Sequence, residues 1–126
     1  MEIEKINEIS GIILNSAIEV HRELGPGLLE SVYEICLIKE LDEKGLNVRS
    51  QVSLPVYYKG EKLDINFRID LFVENEIIIE LKTVNKILPV HKAQVITYLK
   101  LANKKLGLLI NFNEALLKNG FKRIIL

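Results

Sequence analysis

A layered α/β fold, with helices on both sides of a mixed sheet, is what this sequence of 126 residues predicts. Three observations predict it. Apolar residues recur at helical spacing over residues 3–24, and helical segments return at 28–45 and 90–103. Three β-type runs follow one another between residues 47 and 84, separated by short polar turns. A continuous apolar run, LGLLINF at 106–112, suits a strand buried on both faces. The expected order is α-α-β-β-β-α-β in a single domain spanning 1–126.

The first helix is written by Ile6, Ile9, Ile13, Ala17, Val20 and Leu24, at spacings of three and four. Gly25-Pro26-Gly27 stops it, because glycine terminates helices and proline cannot continue them. LLESVYEICLIKELDEKG restarts as a second helix that ends at Gly45. Its apolar residues fall on more than one face, which predicts a central position. NVRSQVSLPVYY is the first strand, and Lys59-Gly60 the turn after it. The second strand alternates with period two, apolar at Leu63, Ile65, Phe67, Ile69 and Leu71. Glu74-Asn75-Glu76 turns the chain into the third strand, IIIELKTV. A helix follows Pro89, then LGLLINF, and FKRIIL at the end can add an edge strand.

Composition narrows the class. Hydrophobic residues make up 48%, which argues for a packed core and against disorder. The single cysteine, Cys36, excludes an intrachain disulfide and fits a reducing compartment, with Cys36 as a small core residue. The acidic, amphipathic beginning lacks the pattern of a secretory leader, and no apolar run reaches membrane-spanning length. A cytoplasmic protein without membrane association is expected. Net charge is zero but uneven: residues 81–126 hold nine lysines and arginines against one acid, Glu114. That asymmetry fits an anionic partner, and equally a set of solvated lysines.

The chemistry concentrates in RIDLFVENEIIIELK, residues 68–82. If residues 74–76 form the loop, Val73 pairs with Ile77 and Asp70 lies opposite Glu80, with β-carbons roughly 4.5–5.5 Å apart. Period two sets Lys82 on the same face as Glu80, about 7 Å along the strand. Opposed carboxylates repel, so a proton or a cation must sit between them. A hard divalent cation takes one or two carboxylates plus waters and phosphates. Lys82 beside them could orient a water or stabilise developing negative charge. On the hairpin alone, an exposed ion pair of Lys82 with either acid is the simpler account. Two further groups add to it. His91, Gln94 and Tyr98 form one polar stripe on the third helix. Glu30 and Tyr33 follow the GPG break, where a glutamate ordinarily complements the helix dipole.

GLLESVY at 27–33 matches a G-x-x-E-x-x-Y motif. With IEVHRELGPGLLESVYE, LPVYYKGEKL, IIIELKTV, LPVHKAQVITYLKL and GLLINF in the same order, the chain resembles the GxxExxY family over nearly its whole length. That family is placed in the PD-(D/E)XK nuclease superfamily, close to RecB-type nuclease domains. The resemblance implies a restriction-endonuclease-like core. It implies that Asp70 and Glu80 are the two acidic positions and Lys82 the lysine, with Ile69 where the pattern often has proline. Glu30 then helps hold metal, Gln94 and Tyr98 match a downstream Q-x-x-x-Y motif, and the Leu81 carbonyl completes the ligands. His21 is a candidate further metal ligand, and Lys86, His91 and Lys92 are candidate nucleic-acid contacts. The implied cofactor is Mg²⁺ or Mn²⁺ and the implied activity is hydrolysis of nucleic acid, DNA in preference. A homodimer is one option for the assembly. The alternative is a catalytically silent nuclease fold that binds nucleic acid or protein; a purely structural protein would make the acids and the lysine coincidental.

Overall fold

Gly25 and Gly27 take φ of 70° and 95°, a region that suits glycine, and the helical run breaks there. Helix α1 (Ile3–Leu24) therefore ends before α2 (Glu30–Glu43) begins. The computed structural model describes all residues 1–126. After α2 come β1 (Val48–Tyr58), β2 (Glu61–Val73), β3 (Ile77–Lys82), α3 (Pro89–Ala102) and β4 (Leu106–Asn111). A 3-10 turn, Leu117–Gly120, leads into β5 (Phe121–Ile125). The predicted order holds, and the C-terminal edge strand forms. Pro89 opens α3, where its fixed φ suits a first helical residue.

The five strands lie side by side in chain order. Three of the four pairings are antiparallel; β3 and β4 are parallel, with α3 as the crossover between them. Helices α1 and α2 cover one face, where Ile13, Tyr33 and Leu37 pack on Leu71, Ile79 and Leu108. Helix α3 covers the other, where Val95, Tyr98 and Leu99 pack on Phe72, Ile78 and Leu109. Strand β4 is buried throughout, as a strand with helices on both sides must be. Gly107 lets α3 approach closely: a β-carbon there would collide with Val95 Cγ1. No helix is long and apolar enough to cross a membrane.

Two expectations are corrected. Helix α2 is not central. It buries Tyr33, Leu37 and Leu41 and leaves Val32 and Ile35 exposed, as is Leu29 just before it, so part of its apolar surface faces solvent. Strand β2 does not alternate on one face along its length. Leu71 and Val73 pack toward α1 and α2, Ile69 and Phe67 pack toward α3, and Ile65 is exposed. The change of face falls at Asp70.

Candidate active site

The β2–β3 ladder is short. Val73 pairs with Ile77, Phe72 with Ile78 and Leu71 with Ile79, and there it ends. Past that point the strands part, and the backbone groups freed by the split need partners. The two acids supply them. Asp70 N–H donates to Glu80 Oε1 at 3.1 Å, and Leu81 N–H donates to Asp70 Oδ2 at 2.9 Å. The carboxylates thus interlock across the fork and have oxygens left over.

Strand β1 changes face in step with β2. Ser50 pairs with Leu71 and Val52 with Ile69, which leaves Gln51 facing Asp70. Gln51 takes φ of 52°, uncommon for a residue with a side chain and costly enough that its surroundings must hold it. Its Nε2 donates to Glu34 Oε1 at 2.8 Å. The result is a cavity of about 320 Å³ lined by Glu30, Ser31, Glu34, Gln51, Asp70 and Leu81. Glu30 and Glu34 come from the first turns of α2, one helical turn apart.

Burial and the neighbouring charge of Asp70 raise the proton affinity of Glu30, Glu34 and Glu80. Burial pushes the Glu80 carboxyl up to about 8, with further upward pressure from Asp70; the Asp70 N–H and Lys82 oppose it. Only 4% of Glu80 is exposed. Glu30 is raised by partial burial and by Asp70, against Lys82 and the Thr83 backbone. Glu34 is raised by burial and by Asp70 and Glu30, against its bond from Gln51. On α3, Gln94 Nε2 donates to the Tyr98 hydroxyl at 2.9 Å. Burial raises that hydroxyl, and Glu80 adds to the effect, which sets Tyr98 within electrostatic reach of the fork.

The G-x-x-E-x-x-Y stretch has a physical reading. Gly27 makes the left-handed turn, and Glu30 starts α2 facing the cavity. Tyr33 straps the loop down: its hydroxyl donates to the Gly25 carbonyl at 2.6 Å and accepts the Leu28 N–H at 3.1 Å. The ring stacks on Phe112 with centroids 4.4 Å apart.

A family model for the PD-(D/E)XK nuclease superfamily matches residues 7–124. The chain belongs to the PD-(D/E)XK nuclease superfamily. Its members act on nucleic acid and generally use divalent metal ions. Among solved structures the chain is similar to the crystal structure of SSO0001, with 23% identity and a TM-score of 0.52. The match covers 74% of this chain and 46% of that one, so this chain spans less than half of its length. That likeness concerns the fold. No curated protein sequence gives a significant match.

Within the superfamily fold, Glu30, Asp70 and Leu81 line one cavity, Glu80 is bonded to Asp70, and Lys82 is within electrostatic reach of Glu30 and Glu80, with Gln94 and Tyr98 on the α3 side. His21 lines another cavity, with Arg22 and Leu117, and its Nε2 donates to the Glu114 carbonyl at 2.7 Å. His91 Nδ1 accepts the Leu88 N–H at 2.9 Å and caps α3, and Lys86 and Lys92 line a separate cavity. Glu34 and Gln51 went unrecognised in the sequence. Glu34 was within reach of it, since it stands four residues after Glu30 on one helix face.

No three acids, histidines or cysteines converge closely enough to enclose an ion by themselves. Mg²⁺ asks for less, since it keeps several waters and takes one or two carboxylates with substrate phosphates. The paired acids of the fork, with a buried and proton-avid Glu80, fit that demand.

A pH dependence follows. With a folded value of about 8 against 4.5 for an ordinary glutamate, Glu80 binds its proton more tightly folded than unfolded. Its contribution is therefore fully present below about 4.5 and is lost as pH rises toward 8. In EDTA, urea midpoints should fall between pH 5 and pH 8, and Glu80→Gln should flatten that decline. Added Mn²⁺ should restore stability at the upper end, where the carboxylate is free to bind it.

Proposed function

We propose that this chain is a metal-dependent nuclease of the GxxExxY type, a single domain over residues 1–126 that hydrolyses phosphodiester bonds of DNA in the cytoplasm. The observation that carries the reading is the interlocked Asp70–Glu80 pair at the fork, with Lys82 two residues further on. Glu30, Asp70, Glu80 and the Leu81 carbonyl would hold Mg²⁺ or Mn²⁺. His21, whose Nε2 donates to the Glu114 carbonyl, would offer the ion its Nδ1. When bound, such an ion supplies Lewis acidity at the phosphoryl group.

The remaining work falls to the chain. Lys82 orients the attacking water and stabilises negative charge that builds on the phosphate. The water oxygen bonds to phosphorus as the ester P–O bond breaks, and a proton passes to the departing oxygen. Gln94 and Tyr98, bonded to each other, support Lys82 or contact the strand. Lys86, His91 and Lys92 contact the backbone.

A nuclease assay with Mn²⁺ on single- and double-stranded DNA and RNA, with Lys82→Ala alongside, tests this. Cleavage by the wild type that the variant lacks supports it. DNA binding without cleavage of any substrate, unchanged in Lys82→Ala, overturns the catalytic reading in favour of a silent binding module.

A further inference from the structure

The fold sends the cations of residues 81–126 to different places. Lys104 sits 4.0 Å from Glu76, and Arg123 donates to Asn7 Oδ1 at 2.7 Å. Lys104 and Lys105 precede β4, whose first residue pairs with Ile77, so they lie at the end of the sheet away from Lys82. Lys86, Lys92 and Lys122 instead line one cavity of about 280 Å³, together with Ile87, Glu114 and Asn119. They come from the β3–α3 loop, the first turn of α3 and β5. None of the three forms an ion pair. Three ammonium groups against the one carboxylate of Glu114 leave the concavity net positive, so an anion is attracted there.

The cavity is placed to serve the fork. Strand alternation puts Lys122 on the face of Ile124, which packs toward α3, and Lys82 on the face of Ile78, which does the same. Strand β5 is two strands from β3 in the sheet, roughly 10 Å away. One strand of duplex carries a charge about every 3.4 Å of helix axis, so the cavity and the fork reach different phosphates of the same strand. Beside the cavity, and sharing Lys86, Ile87 and Lys92 with it, runs an apolar groove lined by Leu88, Pro89 and Ile96. Such a groove suits a sugar or base attached to the phosphate more than a free inorganic ion.

We infer that Lys86, Lys92 and Lys122 form a phosphate subsite that grips the nucleic-acid strand a few nucleotides from the scissile bond. The location relative to the cut rests on the nuclease reading; the binding itself does not. Fluorescence anisotropy with a labelled single-stranded oligodeoxynucleotide in EDTA tests it without cleavage. The triple variant Lys86→Gln/Lys92→Gln/Lys122→Gln should lower the slope of log affinity against log salt by about 0.7 per lysine. Lys100→Gln/Lys104→Gln/Lys105→Gln removes the same charge elsewhere and should leave the slope unchanged. Circular dichroism checks that both variants fold. On the wild type, a single uncharged methylphosphonate linkage moved along the oligonucleotide should weaken binding most at one position. Equal slope losses in the two triple variants, or none in either, overturn the subsite. A lost slope without any cleavage by the wild type keeps the subsite and removes the nuclease reading; cleavage with an unchanged slope does the reverse.

Discussion

Lys82→Ala should lower the rate of strand cleavage by at least 10²–10³-fold, roughly the cost of removing one transition-state stabiliser. Cation affinity should hold or rise, because the substitution removes a positive charge beside Glu30 and Glu80 while every proposed oxygen ligand stays. Binding of uncleaved DNA should fall only modestly, since Lys86, Lys92 and Lys122 are untouched. Asp70→Asn should behave differently. The amide oxygen can still accept the Leu81 N–H, so the fork persists, but the charge that attracts a cation is gone. Metal binding and turnover should then disappear together. Mn²⁺ calorimetry beside single-turnover kinetics separates the two patterns; loss of metal binding in Lys82→Ala would show that the lysine holds the site together and does not act on the phosphate.

Tyr33→Ala should cost about 3–5 kcal/mol, the range for emptying a large aromatic from a closed core. The ring is fully buried and stacked on Phe112, so nothing nearby can collapse into its place without disturbing β4. Tyr33→Phe keeps the stack and removes the hydroxyl, leaving the Gly25 carbonyl and the Leu28 N–H without their partner, at a cost of about 1–3 kcal/mol. Urea denaturation measures both. The phenylalanine variant should also bind Mn²⁺ more weakly, because the loop it loosens delivers Glu30. Unchanged affinity would mean that α2 alone positions that glutamate.

The parts legible in the sequence were those decided by local chemistry. Helix α1 runs over the residues its spacing predicted, because glycine and proline fix its end. The Val73–Ile77 register followed from the loop at Glu74-Asn75-Glu76, where Glu74 and Asn75 both take positive φ. The place of Gln51 was hidden by a bulge. Counting outward from the Lys59-Gly60 turn, Tyr58 meets Glu61 and Tyr57 meets Lys62, a register that would set Gln51 opposite Arg68. The shift between Pro55 and Tyr57 moves it opposite Asp70 instead. The exposed outer face of α2 was illegible for another reason: hydrophobic periodicity reports what could be buried and is silent on whether a partner is there.

Because spatial order in the sheet equals chain order, each strand can be added to its predecessor by closing only the segment that joins them. Hairpins close cheaply, and even the parallel β3–β4 pair needs only the α3 crossover. Helix α1 is the exception. Its partners include Glu114, across 93 residues from His21, and Arg123, across 116 from Asn7. Docking α1 ties the first element to the last, so its contacts carry the largest loop-closure entropy in the molecule. On loop-closure entropy alone, the sheet with α3 is expected to form before the long-range contacts of α1, and hydrogen exchange should open the α1 face first.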